Sequence, residues 1–172
     1  MGSSTFSDFV LADLDFIFNN KTKHTYPTNN TPIISLSKGK AKGKLIGGNL
    51  SLLAAMCGTK YLPNAKEKLV YIEDIEEKPY RIDRMLTQLE QAMDLKKAKG
   101  IILGQFDGCD SDSDNSLSLR ETLDNHFKDI GIPVIYQFPI GHIQDQVMLP
   151  IGIEAELDGD KKTLTLLESI YQ

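Results

Sequence analysis

Leu69-Val70-Tyr71-Ile72-Glu73-Asp74-Ile75-Glu76-Glu77-Lys78-Pro79-Tyr80-Arg81-Ile82-Asp83-Arg84 is the stretch around which the rest of the chain is organised. Leu69 to Ile72 is a short apolar run of the kind that makes a buried strand, and it stops at two carboxylates, Glu73 and Asp74. Side chains at a strand end are held by a rigid sheet yet face a cleft, so a fold can present a charged group to a ligand there. The same pattern also fits an acidic strand-to-helix corner, with carboxylates near a helix N-terminus. Beyond it, Ile82, Met85, Leu86, Leu89, Ala92 and Met93 mark an amphipathic helix with Asp83 and Arg84 near its start, where internal ion pairs or subunit contacts are expected of them.

Working outward toward the N-terminus, Met1 to Ser4 reads as an appended start. Phe6, Phe9, Val10, Leu14 and Ile17 fall at helical spacing between Thr5 and Phe18. Asn19 to Thr31 reads as a polar loop, with His24 a solvated side chain inside it. Ile33 to Leu36 and Gly43 to Ile46 read as two short strands joined by a Gly/Lys turn, and Gly47-Gly48 lets the backbone bend sharply after the second. Asn49 is a natural N-cap for a helix that ends at Gly58. Turn and cap account fully for Gly47-Gly48-Asn49. The alternative is that exposed backbone N–H groups and the Asn49 amide line a pocket.

Toward the C-terminus, Gly100 to Phe106 is an apolar run of strand length. Ser118 and Glu121 form a capping box for a helix running to about Asp129. Pro133 to Phe138 is another buried strand that leads into Pro139-Ile140-Gly141-His142, and Ile151–Leu157 with Thr163–Leu167 make a closing hairpin. Asp110, Asp112 and Asp114, with Glu121 eleven residues after Asp110, approach a calcium loop but have Asn115 where such loops need glycine. A solvated polar loop before a capped helix is the favoured reading, and no metal site is assigned. Strands separated by helices, with a terminal hairpin, predict a mixed α/β layered domain covering residues 1–172.

With 41% hydrophobic and 25% charged residues, the chain has the composition of a globular protein with a real core. A net charge of −5 and a pI near 5.2, without a basic run, give no electrostatic reason to expect nucleic acid or an anionic membrane as partner. Neither an apolar span of membrane length nor a leader pattern is visible, so a cytoplasmic protein is expected. Cys57 and Cys109 are too few for a disulfide scaffold and lie in no metal-ligand spacing.

The blocks Leu45 to Leu50, Tyr71 to Asp74, Glu77 to Arg84, Gly141-His142 and Leu149 to Gly152, in that order, resemble the C-terminal domain of the LD-carboxypeptidase family. These are bacterial serine peptidases with a Ser-Glu-His triad, and they include muropeptide carboxypeptidases and microcin-type immunity peptidases. The resemblance implies a swivelling β/β/α domain in which residues 45–172 bear the motifs and residues 5–44 form a lead-in helix and linker. It implies that Glu73 orients His142, that His142 is the general base, and that Gly48 and Asn49 bind substrate. On its residues alone His142 also fits a structural histidine. The family's serine belongs to an N-terminal domain, whereas only 46 residues precede Gly47 here and no Gly-x-Ser-x-Gly elbow occurs. Ser51, inside the Asn49-capped helix, shows no sign of activation.

The implied reaction is removal of the terminal D-alanine from muropeptide tetrapeptides in peptidoglycan recycling, with no cofactor. The implied partners are the N-terminal nucleophile domain and, in some states, a second copy. A microcin-type peptidase acting on a peptidyl-nucleotide toxin is the alternative enzyme, and a non-catalytic binding or dimerisation module the alternative from another class.

Overall fold

The computed structural model describes residues 6–19, 23–111 and 116–170. In chain order the elements are α1 (Asp8–Asn19), β1 (His24–Thr25), β2 (Ile34–Ser37), β3 (Lys40–Asn49), α2 (Leu50–Ala55), β4 (Lys68–Ile75), α3 (Pro79–Ala92), β5 (Gly100–Asp107), α4 (Leu119–Phe127), β6 (Val134–Tyr136), β7 (Glu154–Asp158) and β8 (Thr163–Leu166), with one 3-10 turn at Leu95–Lys97. The strands form a single mixed sheet in the order β1-β8-β7-β3-β4-β5-β6-β2. Strands β3 to β6 are parallel neighbours linked through α2, α3 and α4, and the flanking pairings are antiparallel. The expected α/β class is the one observed.

The apolar run from Leu69 is β4, and it is buried on both faces, as a central parallel strand must be. Its pleat divides it between two cores. Val70 and Ile72 point to the helices and pack with Leu53, Ile82, Leu86 and Leu123. Leu69 and, partly buried, Tyr71 point to the other face, with Leu45, Ile102, Ile135, Leu157 and Leu164. Alternation continues through the carboxylates, so Glu73 belongs to the Tyr71 side and Asp74 to the helix side.

That second core is enclosed because the sheet curls. β2 and β3 are separated in the sheet by three strands, about 19 Å if it were flat. Yet only Lys38 and Gly39 join them, and three Cα steps reach no more than about 11 Å. The sheet therefore folds over at this end, and the Gly159 N–H closes it by donating to the Gly39 carbonyl at 2.8 Å. The two short strands around the Gly/Lys turn exist, but they are not sheet neighbours.

Two local expectations are corrected. Gly47-Gly48 is not a bend: β3 runs straight through both to Asn49, in register with Tyr71, Ile72 and Glu73. The glycine is needed for closeness, since a Cβ on Gly47 would lie 1.9 Å from the Tyr71 carbonyl oxygen. His24 is not solvated. It is 7% exposed, sits in β1 against β8 and bonds Asp13 of α1 at 2.9 Å. The calcium-loop candidates at 112–115 lie outside the described residues. Asp110 and Glu121 are both engaged at the start of α4, where Asp110 accepts from Leu119 N–H at 3.0 Å and Glu121 closes the capping box with Ser118.

Candidate active site

Glu73 stands where β5 departs from regular pairing: Ile72 faces Leu103, but Asp74 faces Phe106, so β5 carries one extra residue opposite Glu73. On the far side of β5, β6 stops at Tyr136 because Gln137 takes a left-handed conformation (φ 64°), held by the Gln105 side-chain amide donating to its carbonyl at 3.0 Å. The chain then runs on along β5, with Phe138 N–H donating to Leu103 and Gln105 N–H donating to Ile140. This path delivers Gly141 and His142 to Glu73.

His142 Nδ1 lies 2.9 Å from Glu73 Oε2. Gly141 has φ 122°, and a Cβ there would meet Glu73 Oε2 at 3.0 Å and the Gln105 carbonyl at 3.1 Å, so any larger residue would strain the backbone and press on the carboxylate. Glu73 is 7% exposed while the His142 side chain is half exposed. An ionised carboxylate only accepts, so in the neutral imidazole the proton sits on Nδ1 and the lone pair on Nε2. Nε2 has no partner. This arrangement equips His142 to take a proton from a group arriving through solvent.

The pair opens into a cleft of ≈ 370 Å³ whose lining includes Gly48, Asn49, Tyr71, Gln146, Val147 and Leu149. Gly48 reaches it by its backbone, with open space where a side chain would be. Asn49 also lines it, but its side chain is committed: Oδ1 accepts from Leu52 N–H at 3.1 Å and Nδ2 donates to Asp74 at 2.9 Å. Cap and pocket edge are thus the same residue. Asp74 faces away and is saturated, accepting from Asn49, from Ile75 N–H and from the Ser51 N–H and hydroxyl.

Among the described lining residues Tyr71 carries the sole hydroxyl, and its phenol is pushed up by burial and then by the Glu73 charge, the opposite of an activated nucleophile. Ser51 Oγ is held between Asn49 Oδ1 at 2.8 Å and Asp74 Oδ2 at 3.0 Å on the helix side. The cleft thus holds a carboxylate and an imidazole, and no nucleophile among the described residues. Tyr71 was legible from period two with Glu73. Gln146, Val147 and Leu149 lie in an irregular segment that carries no periodic signal.

Comparison with known proteins gives this geometry a context. Residues 42–157 match the family described as LD-carboxypeptidase C-terminal domain. The chain is 40% identical to a probable murein peptide carboxypeptidase of Bacillus subtilis over 147 residues, 85% of this chain and 46% of that protein. It is 33% identical to the murein tetrapeptide carboxypeptidase of Pseudomonas aeruginosa over 125 residues, 72% of this chain and 40% of that protein. The crystal structure of muramoyltetrapeptide carboxypeptidase from Oxalobacter formigenes superposes with a TM-score of 0.79 at 34% identity, covering 96% of this chain and 56% of that one. The chain spans less than half the length of the two sequence relatives.

Proposed function

Because the chain belongs to the LD-carboxypeptidase family and corresponds to its C-terminal domain, we propose that it supplies Glu73 and His142 to a Ser-Glu-His triad whose serine stands on an N-terminal domain outside this chain. The observation that carries this reading is the 2.9 Å contact between Glu73 Oε2 and His142 Nδ1, at an open cleft with Nε2 unclaimed among the described residues.

In that triad His142 Nε2 takes the serine proton as the serine attacks the scissile carbonyl, then returns it to the leaving amine. Glu73 fixes the imidazole tautomer and stabilises the imidazolium that forms. Gly48 and Asn49 border the substrate, with the Gly48 backbone offering close approach. Such a triad needs neither metal nor organic cofactor. The substrate is a muropeptide tetrapeptide losing its terminal D-alanine in cytoplasmic peptidoglycan recycling. The names of the relatives at 33–40% identity support that choice. Among the described residues no helix is long and apolar enough to cross a membrane.

The test is release of D-alanine from a muropeptide tetrapeptide by three proteins: the 172-residue chain, a form extended upstream by its N-terminal domain, and the extended form with His142→Ala. Turnover by the extended form alone is expected. Turnover by the short chain would place a nucleophile within it, and full activity of extended His142→Ala would remove the base assignment.

A further inference from the structure

One wall of the cleft is the irregular segment from Gln146 to Leu149, which has no strand or helix of its own to hold it. Its backbone bonds therefore show what fixes the wall. Val147 N–H donates to the Pro139 carbonyl at 2.8 Å. Both polar groups of Met148 go to side chains of the N-terminal segment: its N–H donates to Asp13 Oδ2 at 2.9 Å, and its carbonyl accepts from the Tyr26 hydroxyl at 2.7 Å.

Asp13 is 3% exposed, and its other oxygen lies 2.9 Å from His24 Nε2. The His24 ring is stacked on Phe16 at 4.1 Å and meets Tyr26 edge-on at 4.7 Å, so neither it nor the carboxylate has room to turn away. A carboxylate this buried is costly unless its lone pairs are filled, and here one oxygen is filled by the imidazole and the other by the cleft wall. Docking α1 alone would need only the first.

On the reading of the cleft as a peptidase site, we propose that Asp13, His24 and Tyr26 are positioning residues for it: together they clamp Met148 at both backbone groups and so set its neighbours Val147 and Leu149 against the substrate. The three lie upstream of residues 42–157, so the wall of the family's domain is held by a segment outside it.

The clamp is tested on the ¹⁵N-labelled 172-residue chain by amide exchange and His142 ring resonances in Tyr26→Phe, Asp13→Ala and Asp13→Asn. Tyr26→Phe keeps the ring and loses only the hydroxyl. About tenfold faster exchange at Val147, Met148 and Leu149 is expected, with shifted His142 resonances and unchanged protection at Val70, Ile72 and Ile102. Asp13→Ala gives the larger effect, and Asp13→Asn, whose side-chain oxygen still accepts from Met148 N–H, recovers most of the protection. Unchanged exchange at 147–149 in Tyr26→Phe would overturn the proposal, as would an equal loosening of the β4–β5 core. If Asp13→Ala does not fold, Tyr26→Phe decides. In the extended form, Tyr26→Phe raises KM while leaving kcat nearly unchanged. The exchange result stands whether or not D-alanine is released, so failure of the clamp and failure of the peptidase reading are separable.

Discussion

Glu73 and Asp74 are neighbours on one strand, carry the same charge and are 7% and 2% exposed, yet their surroundings differ in kind. Asp74, on the helix face, is filled by four donors and ties the start of α2 to the end of β4. Glu73, on the curled face, has one partner among the described residues, an imidazole that is itself half in solvent. Burial alone does not separate a structural carboxylate from one available for chemistry. The number of lone pairs already claimed does, together with whether the partner can still exchange a proton.

The comparison breaks most visibly in activity. In the extended form, His142→Ala is expected to lower D-alanine release by about 10⁶-fold, while the unfolding midpoint of the 172-residue chain moves less than in Asp74→Ala, because Glu73 lines an open cleft where water can take the place of the ring. Asp74→Ala should do the reverse. Leaving the Asn49 amide and the Ser51 N–H without their acceptor costs about 3 kcal/mol in denaturant unfolding, and a loss under about 1 kcal/mol would erase the distinction drawn between the two carboxylates.

Gly141→Ala sits between these cases, with an expected cost of about 2 kcal/mol from strained backbone and close contact. It also displaces Glu73 from His142, visible as shifted His142 ring resonances in NMR. The smallest effect is at α4, where a carboxylate cap stands at the surface. Ser118→Ala is expected to cost about 1 kcal/mol near neutral pH. Hydrogen bonds from Ser118 hold Glu121 below the usual carboxylate range, and those from Leu119 and Ser111 do the same for Asp110. Groups lowered in the folded state contribute stability above the ordinary carboxylate range and lose it as pH falls through their folded values. The gap between wild type and Ser118→Ala should therefore narrow below about pH 4 in parallel denaturation curves.

Legibility in the sequence followed locality. The β4 run, the α4 capping box and the Asn49 cap are written in adjacent residues and appear where expected. Glu73 and His142 each end an apolar run, but it is the resemblance to the family's blocks that singles them out. Their meeting across 69 residues depends on the β5 bulge and on Gln137, which no local pattern announces. His24 was misread for the same reason. Its partner Asp13 lies on another element, and a two-residue strand against β8 leaves no period to detect. The curl of the sheet was hidden too, since Lys38-Gly39 looks like any short turn until the strand order is known.

Both edges of the sheet come from the N-terminal segment and are matched with strands made much later: β2 with β6, and β1 with β8, where His24 faces Leu166. At about 5–20 residues per second, a ribosome needs roughly 7 to 30 seconds to travel between those last two positions. Through that interval β2 and β1 are already made, and they wait for the strands they will pair with, β6 and then β8. Each late strand thus meets an edge strand already made in the same chain, an order of synthesis that favours pairing in cis over pairing with another copy.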